Sequence, residues 1–159
     1  MIGAVLHIAA HALGKITLFF AAGAIYTAAH KTEVSQLDGI GRRMPWTMGA
    51  FAIGALSMIG LPPAAGFISK WYMLSGAMAA SHWLAVAVII GSTLLNAGYF
   101  LPIVYRAFFI APLDDGHAAH GEAPWPMVVA LCLTATGTVL LFFWPEVPLA
   151  LARQMVAKG

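Results

Sequence analysis

Charge is scarce in this chain. Asp, Glu, Lys and Arg make up 9% of its 159 residues, where soluble domains average about 25%. So few charges cannot cover a water-facing surface, which leaves a lipid bilayer as the expected solvent. The net charge of +2 is too small to suggest a nucleic-acid partner, and the basic residues form no stripe, so none is expected. A single cysteine, Cys132, excludes an internal disulfide; lying in an apolar run, it reads as a small buried hydrophobe. Nucleotide loops and catalytic triads are missing, since Gly39-Ile40-Gly41-Arg42-Arg43 is too short and follows no strand. No repeat of solenoid period is visible. The N-terminus lacks a basic segment and its apolar run is interrupted by polar residues, so no cleaved signal peptide is expected.

What is abundant is apolar sequence: 61% of the residues are hydrophobic and the mean hydropathy is +0.86. A spanning helix needs about 20 mostly apolar residues, and four stretches qualify, at about 3–28, 46–80, 83–109 and 126–144. The last carries Pro126 in its first turn, where a missing N–H is harmless. The second is too long for one ordinary helix, yet its back half, from Gly66 to Ala80, is short for a crossing. Pro62 and Pro63 remove two backbone donors and disfavour helix before them, and Gly66 adds backbone freedom. The expectation is an all-α membrane protein with about four transmembrane crossings, the second a discontinuous helix broken at 61–66. Non-helical backbone at membrane depth is tolerated only beside protein or a water-filled cavity, so the break points to a polar pathway. The competing reading is a plain proline kink in a packing helix.

The connections carry the remaining charge. The segment from His30 to Pro45 holds Lys31, Glu33, Asp38, Arg42 and Arg43, with Glu33 and Asp38 expected to face water. Ser81-His82 reads as a tight turn. The segment from Ala111 to Pro124 holds Asp114, Asp115, His117, His120 and Glu122, expected to be solvated and mobile, with loose cation binding as the alternative. Arg106 and Glu146 are expected at the membrane interface, and the tail after Pro148 is weakly amphipathic. Four crossings put Lys31, Arg42, Arg43 and Arg106 opposite Arg153 and Lys158, which places the long loops in the cytoplasm. Two full crossings in the broken stretch would sharpen that asymmetry, but about 15 residues are too few for a helix to span a bilayer. Ser92, Thr93, Asn96 and Tyr99 read as glue between helices rather than as the lining of a path. Small residues at Ala50 and Gly54, and at Gly49 and Gly60, suggest close helix contacts.

Against this apolar background two lysines stand out, Lys15 and Lys70. Charged side chains in membrane-spanning sequence are costly and mark functional sites. His7, His11 and Lys15 are spaced four residues apart, so each step rises about 6 Å and turns about 40°. The three project from one side of a helix in a ladder about 12 Å long, a separation that suits proton hopping through intervening water. Histidine titrates near neutrality, and a desolvated lysine can exchange its proton. The alternatives are that the histidines hydrogen-bond neighbouring helices while Lys15 snorkels, or that the His pair holds zinc or haem. Neither a metal nor a cofactor is expected, since no cysteine cluster completes a zinc site. Lys70 either belongs to the same path or snorkels toward an interface marked by Trp71 and Tyr72.

Two motifs resemble those of the proton-conducting antiporter-like membrane subunits: the large membrane subunits of respiratory complex I, membrane-bound hydrogenases and Mrp-type cation/proton antiporters. His7-Ile8-Ala9-Ala10-His11-Ala12-Leu13-Gly14-Lys15 is similar to their histidine–histidine–lysine helix, and Gly60-Leu61-Pro62-Pro63-Ala64-Ala65-Gly66-Phe67-Ile68-Ser69-Lys70 resembles their broken helix. The linker Asp38-Gly39-Ile40-Gly41-Arg42-Arg43-Met44-Pro45 also matches. The resemblance implies that His7, His11 and Lys15 lie on a central hydrophilic axis and that Lys70 is the terminal lysine of an exit half-channel. Complex I subunits of the M type have glutamate at that place, so Lys70 favours the D-type member of Mrp antiporters or another lysine-bearing member. The stretch His120-Gly121-Glu122-Ala123-Pro124-Trp125-Pro126-Met127 is similar to the D-type Mrp member as well. Only the C-terminal third of a family member is matched, so the chain is expected to be a fragment, a truncated product or one part of a split subunit.

The expected function is proton translocation, with sodium exchange left open, as part of a multisubunit antiporter or a proton-pumping respiratory complex. Its expected setting is a bacterial cell (inner) membrane, among other membrane subunits. The alternative is a structural or assembly subunit that conducts nothing itself. A haem-carrying redox subunit would show a Soret band, and none is expected.

Overall fold

In lipid a backbone N–H or C=O has only the chain itself as partner, so long apolar runs coil. The computed structural model describes residues 2–112 and 121–158, and among them the chain is all-α. In chain order come α1 (Ile2–Ala29), α2 (Ile40–Arg43), α3 (Pro45–Ile59), α4 (Ala65–Ala79), α5 (Trp83–Phe109), α6 (Trp125–Phe143) and α7 (Glu146–Lys158), with a 3-10 turn at Val34–Leu37 before α2. Three of these, α1, α5 and α6, are long and apolar enough to cross a membrane, while α3 is a shorter apolar helix. Asp114, Asp115, His117 and His120 lie outside the described residues.

Packing between the helices relies on small side chains, as expected where lipid removes the hydrophobic drive for helices to associate. α1 lies against α3, α4 and α6, and α3 also meets α5 and α6. Ala21 and Ala24 of α1 and Ala55 of α3 are buried, and Gly54 lets α3 approach Thr17 and the Gly14 carbonyl of α1. The hydroxyls of Thr17 and Thr134 meet at 2.9 Å, tying α1 to α6. Gly49 does not share this role, because nothing among the described residues lies within 4 Å of where its Cβ would be. Cys132 is only partly buried, against the edge of the core. Along α5, Ile103 and Ala107 are buried, whereas Leu84, Leu94 and Leu95 are exposed. Such an apolar outer face suits lipid or further protein, not water.

Two expectations about charged residues are corrected. Asp38 does not face water: its side chain is only 10% exposed and pairs with Arg106 in the last turn of α5, Arg106 Nε donating to Oδ1 at 2.6 Å and Nη2 to Oδ2 at 3.0 Å. Arg106 is therefore a forked clamp on the Asp38 carboxylate. Beside it Gly39, at φ 68°, donates its N–H to the Arg106 carbonyl at 3.0 Å, and Pro112 leaves no room for a Cβ there. Glu122, finally, is not a loosely solvated loop residue. Its carboxylate accepts from the Trp46 N–H at 2.6 Å, the Thr47 N–H at 3.3 Å and the Thr47 hydroxyl at 2.7 Å. A negative charge there satisfies the free amides at the positive end of α3.

The Arg106 hydrogen bond holds the Asp38 carboxyl below the usual carboxylate range. A group with a lowered folded-state pKa contributes stability above its unfolded value, about 3.9, and loses it as pH falls through the lower folded value. The clamp should thus stay closed at neutral pH and open only in strong acid. Asp38→Asn should open it at neutral pH, seen as faster amide hydrogen exchange in residues 32–45. Exchange equal to wild type would show that the clamp holds nothing.

Candidate functional site

α3 ends at Ile59 because Gly60 adopts a left-handed conformation, φ 87°, which glycine takes at little cost. The Gly60 and Leu61 amides both turn back to the Leu56 carbonyl, each at 2.9 Å. Carbonyls of the final turn are left without helical partners at the negative end of the helix dipole. Pro62 and Pro63 follow, with no N–H to offer, and helix resumes at Ala65.

Lys70, in the second turn of α4, meets those carbonyls. Its Nζ donates to the Met58 carbonyl at 3.1 Å, to the Ile59 carbonyl at 2.8 Å and to the Thr93 hydroxyl of α5 at 3.1 Å. An ammonium has three N–H donors, and each finds an acceptor. The stem passes so close to Gly60 that a Cβ there would crowd Lys70 Cδ. Lys70 therefore turns toward the end of α3, not out along Trp71 and Tyr72. Beside it, a groove of about 280 Å³ runs between α4 and α5 over Lys70, Thr93, Trp71, Leu74 and Ile90.

The other face of α4 meets α1. His7 Nδ1 lies 3.0 Å from the Ser69 hydroxyl, which is fully buried and donates to the Gly66 carbonyl at 3.0 Å. The His11 ring is 5.4 Å from the His7 ring, centroid to centroid. Gly66 is not in the break, where its freedom was expected to serve, but in the first turn of α4. There its N–H donates to Ser57 Oγ at 3.3 Å, and a Cβ would overlap the Ser57 carbonyl of α3. The residue is glycine because two backbones touch.

His7 and His11 thus lie together beside α4, and Lys70 joins the end of α3 to α5. Lys15, one turn beyond His11 on α1, is exposed, with Nζ 5.9 Å from the Phe19 ring centroid, a cation–π distance. Sequence reasoning missed Ser57 and Ser69 and saw Thr93 only as glue. The available signal was the hydroxyls of Ser57 and Ser69 within the apolar α3–α4 stretch, the second directly before Lys70. Among the described residues no three His, Cys, Asp or Glu side chains converge as a metal site.

Residues 1–96 match the family model described as NADH:quinone oxidoreductase/Mrp antiporter, TM. The chain is 40% identical over 155 residues to NADH-quinone oxidoreductase subunit N of Desulforudis audaxviator, covering 91% of this chain and 31% of that protein. It is 32% identical over 151 residues to hydrogenase-4 component B of Escherichia coli K12, covering 89% of this chain and 22% of that protein. The chain accordingly spans about a third or less of the length of these curated relatives. Its fold is similar to a chain in the structure of the Mrp complex from Dietzia sp. DQ12-45-1b, with TM-score 0.86 at 20% identity over 96% of this chain and 36% of that one. It is similar also to a chain in the structure of the membrane-bound sulfane sulfur reductase, an archaeal respiratory membrane complex, with TM-score 0.76 at 25% identity over 89% of this chain and 23% of that one.

Proposed function

Because the chain is a membrane protein that belongs to the NADH:quinone oxidoreductase/Mrp antiporter family, we propose that it carries part of a proton path within an antiporter-like subunit of a larger membrane complex. One observation carries this reading: an ammonium, Lys70, lies at a helix break and is held by two backbone carbonyls and one hydroxyl. In this reading α3 and α4 form one discontinuous crossing and Lys70 exchanges its proton with one aqueous side. His7 and His11 pass protons along α1 to and from Lys15. The exposed Lys15 side of α1 is then covered by parts of the subunit outside this chain, since charge is costly in lipid. Protonating one site on the path disfavours protonation of the next, so protons advance by repulsion. The setting is a bacterial inner membrane with the long loops in the cytoplasm, and the partners are other membrane subunits. Assignment to the D-type Mrp member belongs to this proposal too, resting on the lysine at position 70.

The experiment is proton flux in proteoliposomes that hold the assembled complex. Lys70→Ala should lower flux by about two orders of magnitude, the usual worth of a positioned acid–base group, with the complex still assembled. Unchanged flux rejects the proposal. A second reading, a subunit that braces the complex without conducting, is favoured by the same three hydrogen bonds, because they also describe a fixed cap on α3.

A further inference from the structure

We infer that Ser69 is a positioning residue that sets which nitrogen of His7 exchanges protons. A hydroxyl has one proton to give. When that of Ser69 goes to the Gly66 carbonyl, 3.0 Å away, the oxygen can only accept on its other side. His7 Nδ1, 3.0 Å from that oxygen, must then carry the hydrogen. A neutral imidazole has one N–H, so Nε2 keeps its lone pair. The carbonyl enforces this choice, since it cannot donate in return.

The chemical consequence is directional. A proton arriving at His7 adds to the Nε2 lone pair and gives an imidazolium that still donates from Nδ1 to Ser69. The same proton leaves from Nε2 and restores the starting state. Neither step turns the ring or disturbs the bond to Ser69. Without the hydroxyl, Nδ1 has no acceptor at this site and the other tautomer becomes accessible, with Nε2 blocked by its own hydrogen. Ser69 is fully buried, so water does not replace the lost partner freely. Among the described residues, the titratable neighbours of His7 are His11 on α1 and Lys70 on α4, and both are bases. The hydroxyl is tied to the first turn of α4 through Gly66, so the His7 tautomer is matched to the seating of that helix on α1.

The purpose of this device rests on the proton-path reading, but the tautomer itself does not. Nitrogen-15 solid-state NMR of the histidine-labelled, assembled complex in proteoliposomes reads it directly, with the His7 signals identified by their loss in His7→Gln. The expected result is a protonated Nδ1 and an unprotonated Nε2 in wild type and in Ser69→Thr, which keeps the hydroxyl. Ser69→Ala should reverse the two resonances in most molecules and lower proton flux about tenfold, the equivalent of one hydrogen bond. Three results would each overturn the inference: an Ala variant that keeps Nδ1 protonated, a Thr variant that behaves like Ala, or reversed resonances with undiminished flux. If instead Lys70→Ala leaves flux whole, the proton-path reading fails while the spectra still decide what Ser69 does to His7.

Discussion

Lys70→Arg should abolish proton flux in a complex that assembles and melts like wild type. An alanine at this position removes two things at once, the exchangeable proton and the donors that serve the Met58 and Ile59 carbonyls and the Thr93 hydroxyl. Hydrogen bonds from a charged group are worth about 1.5–3 kcal/mol each, so a loss of flux in Lys70→Ala mixes chemistry with a loosened end of α3. Arginine separates the two. Its guanidinium keeps the positive charge and offers five N–H groups to the same oxygens, yet it does not give up a proton. If Lys70 exchanges protons, flux in Lys70→Arg falls by about two orders of magnitude or more while the melting temperature stays near that of wild type. Flux retained by arginine would assign Lys70 to bracing alone.

The other large effect is expected at Gly66. In an open helix, replacing glycine by alanine stabilises by about 1 kcal/mol. Here the added Cβ would overlap the Ser57 carbonyl, which is backbone and cannot rotate away. α3 and α4 would have to separate, and His7 would lose its match with Ser69 as α4 moved. Gly66→Ala should therefore destabilise by about 3 kcal/mol or more, the upper range for forced overpacking. Thermal unfolding of the detergent-solubilised complex gives the answer; a melting temperature at or above wild type would mean that the two helices do not touch there.

These cases also show how far sequence carries. The all-α membrane class was legible because it depends on composition and run length, which need no partner. The glycines were legible as residues without a side chain, but not by what each one faces. Gly66 reads as flexibility and turns out to be a contact, because the atom that demands it is the carbonyl of Ser57, nine residues away. Gly60 reads as a small residue and turns out to hold the left-handed turn that ends α3. Lys70 stands out as a charge in apolar sequence; two of its three acceptors are backbone oxygens, which every residue has and no motif marks. The same holds for Asp38 with Arg106 and for Glu122 with the start of α3, pairs 68 and 75 to 76 residues apart that only the packed fold brings together.

The set of oxygens around Lys70 is mixed in a way that matters. Two are carbonyls, which can only receive hydrogen, and the third belongs to Thr93, which can receive or give. A neutral amine has two hydrogens and a lone pair. It could keep both carbonyls supplied and take the third hydrogen back from Thr93, leaving every contact in place with one arrow reversed. Threonine at position 93 is thus the reversible member of the set, and a valine there would leave the uncharged amine one partner short.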